Sequence, residues 1–175
     1  MNAEKAKNPI GFTDLIGEHS VSKTDLRIQL LGAIDEASAA LSLAKSALPD
    51  EDDRLILASC QQALSALMAF TARIGTEKML PKDPGFFAQE LVKIESEIGN
   101  QRLMVEMPNR FIFPGDNQAT GALDLARAII RRAEREMNAA YDQLEVEVPN
   151  ARQYLNRLSS LCYLLILKFT DQTTE

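Results

Sequence analysis

The chain has 175 residues, 46% of them apolar and 25% charged, which suffices for one domain with a substantial core. Nineteen Lys and Arg against 25 Asp and Glu leave a net charge of −6, so nucleic acid is not an expected partner, although a local basic site remains open. No run approaches the ~18 apolar residues of a membrane span, and the lysine-bearing N-terminus has no apolar targeting core. Cys60 and Cys162 both lie within apolar helical patterns, where buried free thiols are expected; this points to a cytoplasmic protein.

Residues 1–21 show no sustained period and are punctuated by Pro9, Gly11 and Gly17, which predicts an irregular leader with a short extended piece over Gly11 to Ile16. Residues 22–175 read as a single helical domain. Ser22 or Asp25 caps a first helix whose Leu30, Ile34, Ala37, Leu41, Ala44 and Leu48 hold one face, and Pro49 to Asp53 ends it. A second helix runs from Asp53 to Ile74, with Leu57, Cys60, Leu64 and Leu67 at helical spacing and Gly75 as its C-cap. After a loop through Pro81 and Pro84, a third helix covers Gly85 to Ile98 and stops at Gly99-Asn100. Asn100 to Asn117 has no helical period, and such a long connection is often functional. The fourth helix spans Gln118 to Leu144; the fifth begins at Pro149, a favoured first helical position, and reaches Thr170. The expected architecture is an all-α bundle of five helices with antiparallel neighbours.

The chemistry concentrates on the fourth helix. Leu123, Ala126, Ile130, Ala133, Met137 and Ala140 trace its packing face, while Arg127, Arg131 and Glu134 project together from the adjoining flank. Two guanidinium forks and a carboxylate so placed can grip a polyphosphate, or can form a charge ladder facing water. The one histidine, His19, lies in the leader, which removes the Glu-x-x-His pairs of a di-iron bundle. Neither of the standard glycine-rich phosphate loops is present. Asp35 follows Gly32 on the first helix, and Asn156-Arg157 stands beside the apolar face of the fifth.

Five stretches, in order, resemble the PduO-type ATP:corrinoid adenosyltransferases. They are Ser22-Lys23-Thr24-Asp25-Leu26-Arg27, Gly32-Ala33-Ile34-Asp35-Glu36, Arg110-Phe111-Ile112-Phe113-Pro114-Gly115, Arg131-Arg132-Ala133-Glu134-Arg135 and Tyr154-Leu155-Asn156-Arg157-Leu158-Ser159. The resemblance implies a five-helix bundle of the cobalamin adenosyltransferase type, assembled as a homotrimer with sites between subunits. It implies transfer of the 5′-deoxyadenosyl group of ATP to the cobalt of cob(I)alamin, with magnesium as cofactor, cobalamin as substrate and a corrinoid reductase as a further partner. Arg131, Glu134 and Asn156 would then contact ATP or its magnesium, Glu134 as the metal ligand, with Lys23 at the phosphates. Arg127 would pair with Asp35 of the adjacent subunit, and Phe111 would face the corrinoid.

The chain departs from the family pattern on polar positions. Thr-Gly-Asp-x-Gly is replaced by Lys7-Asn8-Pro9-Ile10-Gly11, where Pro9 lacks an amide donor. Pro-Gly-Gly becomes Pro114-Gly115-Asp116, Asp-Glu-Leu-Asn becomes Asp35-Glu36-Ala37-Ser38, and the aspartate closing Asn-Arg-Leu-Ser-Asp becomes Ser160. Two functional expectations follow: an adenosyltransferase with an atypical ATP loop, or a non-catalytic relative that binds a corrinoid or nucleotide as carrier or sensor.

Overall fold

The computed structural model describes residues 8–76 and 85–170, so the expected loop through Pro81 and Pro84 and the leader ahead of Asn8 lie outside it. A β-hairpin, β1 (Phe12–Leu15) with β2 (Glu18–Ser22), precedes five helices: α1 (Leu26–Ala47), α2 (Glu51–Thr71), α3 (Phe86–Arg102), α4 (Gln118–Gln143) and α5 (Pro149–Phe169). α4 packs against both α1 and α5, α2 flanks α1, and α3 flanks α5. The apolar stripes expected from the spacing form one core, in which Ile34, Leu57, Leu64, Ile130, Met137 and Leu158 are wholly inaccessible.

The helix starts follow local chemistry. Asp25 caps α1 by accepting from the Arg27 amide, and Asp50 caps α2 from the Asp52 amide. At α4, Asn117 and Thr120 exchange side-chain and backbone hydrogen bonds in a capping box. Pro149 opens α5 without needing the hydrogen bond that proline lacks.

Two expectations are corrected. The leader is more ordered than its composition suggests: Phe12 pairs with Ser22 and Thr13 with Val21 in antiparallel register. The turn uses Gly17 at φ 88°, and the Asp14 carboxylate reaches across to accept from the Ser20 amide at 3.1 Å. Hydrogen bonds from the Asn8 side chain, the Ser20 amide and His19 hold Asp14 down at a pKa of about 2. These long-range pairings have no signature in composition.

The second correction is that α3 does not stop at Gly99-Asn100 but continues to Arg102. Ile98 and Gln101 are buried on the final turn, and Gln101 Nε2 donates to Asp53 Oδ1 of α2 at 3.2 Å. Tertiary packing thereby outweighs the ~1 kcal/mol helix cost of a single glycine. Gly32 receives no such explanation, since a Cβ there would meet nothing within 4 Å in the chain.

Arg27 joins the hairpin to the bundle. Its guanidinium, 10% exposed, donates to Asp25 at 3.0 and 2.8 Å, to Glu18 Oε2 of β2 at 2.7 Å, and to the Ile74 carbonyl beyond α2 at 2.9 Å. Replacing Arg27 with Ala leaves the Ile74 carbonyl and two partly exposed carboxylates without their shared donor, and we expect a loss of about 1–2 kcal/mol, read as a lower urea midpoint. The Arg27 side chain holds Asp25 below the usual carboxylate range. A lowered carboxylate stabilises the fold above its unfolded value of ~3.9 and loses that contribution as pH falls through the folded value. Urea titrations at stepped pH should therefore show stability declining below about pH 4 in the wild type, with a shallower decline in Asp25→Asn.

Candidate functional site

The buried stripe of α4 determines where its charges go. Because Ala126, Ile130 and Ala133 are each 0% exposed, Arg127, Arg131 and Glu134, each one residue further on, emerge at the edge of the packed seam. Arg127 is half-buried, and its Nε and terminal nitrogen donate to Asp124 Oδ1 at 2.9 and 2.7 Å. Arg131 is exposed and has no carboxylate partner among the described residues. Next along the helix, Glu134 Oε1 accepts from Asn156 Nδ2 of α5 at 3.0 Å. The Asn156 carbonyl accepts from the hydroxyls of Ser159 at 2.8 Å and Ser160 at 3.3 Å, which places both serines on the same side of α5.

Two adjoining cavities share Arg127 and Tyr163. One, of about 310 Å³, is walled by α3, α4 and α5 and gathers Arg102, Arg127, Arg131 and Arg157 around Ser160 and Tyr163. Arg157 is held by Glu95 of α3, at 2.8 Å from Nε to Oε1 and 3.2 Å from its terminal nitrogen to Oε2. The other cavity, of about 540 Å³, lies under the connection that follows α3 and is lined by Phe111 and Phe113, with Asp124 and Arg127 behind them. Phe111 and Phe113 are each 81% exposed and meet edge to face at 5.1 Å between centroids. A basic chamber thus abuts a chamber with two projecting aromatic rings, an arrangement suited to a ligand with an anionic end and a broad apolar face.

The structure therefore brings together Arg127, Arg131 and Phe111, with the Glu134–Asn156 pair on the adjoining helix turns. Asp35 is exposed on α1 and Lys23 is exposed beyond the hairpin; neither lines either cavity of this single chain. Glu36, beside Asp35, pairs with Arg132 and stitches α1 to α4. In the segment replacing the family's phosphate loop, Asn8 is engaged by Asp14 at 2.8 Å, and the Pro9 carbonyl accepts from the Phe12 amide at 3.1 Å. Sequence reasoning missed Arg102 and Tyr163. Arg102 lies four residues after Ile98, on the face of the inward stripe, and ending the helix at Gly99 hid it.

The thiols play no part in these cavities. Burial raises Cys60 to about 12, partly offset by a hydrogen bond from Tyr154, and raises Cys162 further. No group of three or more His, Cys, Asp or Glu among the described residues could hold a metal ion. No helix among them is long and apolar enough to cross a membrane.

Fold and site together describe a helical bundle that carries an arginine-lined chamber on one helix seam. The cobalamin adenosyltransferase family model matches residues 6–169, and the chain belongs to that family. It is 38% identical over 159 residues to the corrinoid adenosyltransferase PduO of Salmonella typhimurium, covering 89% of this chain and 46% of that relative. The chain spans the same 46% of the PduO protein of Citrobacter freundii, so it is about half as long as these curated relatives. A cobalamin adenosyltransferase of Cupriavidus metallidurans is 32% identical over 160 residues, 89% of this chain and 80% of that one. Among solved structures, a phenylalanine-to-alanine variant of a PduO-type ATP:corrinoid adenosyltransferase from Lactobacillus reuteri, complexed with cobalamin and ATP, superposes with a TM-score of 0.81. It is 26% identical, and the match covers 90% of this chain and 87% of that one.

The position of both thiols predicts their reactivity. At pH 8 a chromogenic disulfide reagent should leave Cys60 and Cys162 unmodified for as long as the chain is folded and should titrate both in urea. Rapid modification without denaturant would contradict their placement.

Proposed function

We propose that this chain catalyses transfer of the 5′-deoxyadenosyl group from ATP to the cobalt of a reduced corrinoid. The observation that carries the reading is the meeting, on one seam, of Arg131, the Glu134–Asn156 pair and a chamber bearing Phe111. Family membership and the Lactobacillus reuteri relative, complexed with cobalamin and ATP, support it.

In this reaction the cobalt(I) electron pair attacks the 5′ carbon of ATP, the carbon–oxygen bond to the triphosphate breaks, and cobalt ends as cobalt(III) with a new cobalt–carbon bond. The protein's task is alignment and charge stabilisation. Arg131, which has no carboxylate partner among the described residues, meets the negative charge that accumulates on the departing triphosphate. Asn156 orients Glu134, and Phe111 offers its ring to the corrinoid face. Arg127, fixed by Asp124, holds a guanidinium in place between the two chambers.

Magnesium fits as a companion of ATP: it commonly takes one or two carboxylates and completes its shell with phosphates and water, so Glu134 alone is an adequate protein ligand. When bound it would neutralise phosphate charge. A homotrimer would bring Asp35 of one subunit to Arg127 of the next and Lys23 to the phosphates, which accounts for two polar residues that stand outside the cavities of the single chain. A cytoplasmic setting agrees with two free buried thiols, and a corrinoid reductase would supply the cobalt(I) substrate.

A second reading, a non-catalytic corrinoid or nucleotide carrier or sensor, draws on Pro9 and on the engagement of Asn8 by Asp14. One anaerobic experiment separates the two. With ATP, magnesium and chemically reduced cobalamin, the enzyme converts the cob(I)alamin spectrum to that of adenosylcobalamin, whereas a carrier binds without conversion. Arg131→Ala should lower kcat/KM about 100-fold or more, and Arg131→Lys less, because removing one donor at a charge-developing site costs 10²–10³. Turnover unchanged in Arg131→Ala would remove α4 from the mechanism. Sedimentation tests the trimer.

A further inference from the structure

Four guanidinium groups line the chamber between α3, α4 and α5, and no carboxylate is among the residues that line it. Arg127 is neutralised by Asp124 and Arg157 by Glu95, which leaves two of the four, Arg102 and Arg131, without an acidic partner among the described residues. The chain carries 25 acidic residues against 19 basic ones, so carboxylates are in surplus, yet none among the described residues serves this pair. Confining like charges in a cleft raises the local concentration of anions and is unfavourable until one binds. Ser160, where the family pattern has aspartate, puts a hydroxyl on the wall instead of a neutralising charge.

Arg102 reaches the chamber only because α3 runs past Gly99-Asn100. The last turn is anchored by Ile98, 6% exposed, and Gln101, 2% exposed, with Gln101 bonded to Asp53. The backbone beneath Arg102 is therefore fixed, while its own side chain is exposed and has no acidic partner among the described residues. A planar fork held in this way matches a phosphate, which accepts two parallel N–H bonds.

We propose, resting on adenosyl transfer as the reaction of this site, that Arg102 is a further substrate-binding residue that grips a phosphate group in the chamber opposite Arg131. Two phosphates are available to it: the triphosphate of ATP and the phosphodiester in the nucleotide loop of a complete corrinoid. Arg102 acts on binding, so its removal weakens one substrate and leaves the chemical step in place.

The test compares wild type, Arg102→Ala and Arg102→Lys in steady-state assays with ATP and either reduced cobalamin or reduced cobinamide, which lacks the phosphodiester. Calorimetric binding of tripolyphosphate and of cobalamin supplies a readout that needs no turnover. Arg102→Ala should raise one KM about tenfold with kcat nearly unchanged, as expected for one lost charge-assisted contact, and lysine should recover part of it. If ATP is the source, its KM rises with both corrinoids and tripolyphosphate binds about tenfold more weakly; if the corrinoid is the source, the KM for cobalamin rises and that for cobinamide does not. Unchanged KM for both substrates and unchanged binding in Arg102→Ala overturn the assignment. Should the wild type transfer no adenosyl group, calorimetry still decides: weaker binding of either probe in Arg102→Ala supports the grip, and equal binding of both refutes it.

Discussion

The arrangement depends on the stripe Ala126, Ile130, Ala133 and Met137, all 0% exposed, which seats α4 between α1 and α5. Alanine at alternate contacts lets neighbouring helices approach, and the larger side chains fill the space between. Burying a side chain such as Ile130 or Met137 contributes roughly 1.5–3 kcal/mol, whereas an exposed charge pair on the same helix contributes ~0.2–0.5 kcal/mol. Packing therefore sets the rotation of the helix, and Arg127, Arg131 and Glu134 are carried to the seam's edge by residues that have no chemistry of their own.

This hierarchy explains what could be read from the sequence. Every expected inward position on α4, from Leu123 to Ala140, is buried, as are Leu30, Ile34, Leu57, Leu64, Leu158 and Leu165. Five helices were legible because their stripes are long and start signals such as Asp25 and Pro149 are strong local ones. The hairpin was not, since its order comes from Asp14 reaching Ser20 and from Arg27 reaching Glu18, contacts that no local period announces. The end of α3 failed for a related reason: glycine and asparagine marked a stop, but Gln101 had a partner on α2.

For the site, spacing alone left Arg127, Arg131 and Glu134 divided between a solvent ladder and a phosphate grip. The ordered resemblance favoured the grip, and the structure adds that Arg131 has no carboxylate partner among the described residues and stands beside a chamber that Arg102 and Arg157 help to enclose. The single chain also separates the residues by element. Those of α4, α5 and the connection after α3 converge, while Lys23 and Asp35 belong to the hairpin end and to α1. The intersubunit site proposed above would reunite the two sets.

The Arg27 junction has a mechanical consequence. Arg27 stands at the start of α1 and the Ile74 carbonyl just beyond the end of α2, 47 residues apart in sequence and 2.9 Å apart in space. At the opposite end the two helices are already tied by the short Pro49-Asp50 link. An antiparallel pair fastened at both ends is unable to splay like tweezers; it opens only by breaking the clasp first. The hairpin supplies Glu18 to the guanidinium that makes this clasp, so its release removes one of the two carboxylates that hold Arg27 against the Ile74 carbonyl.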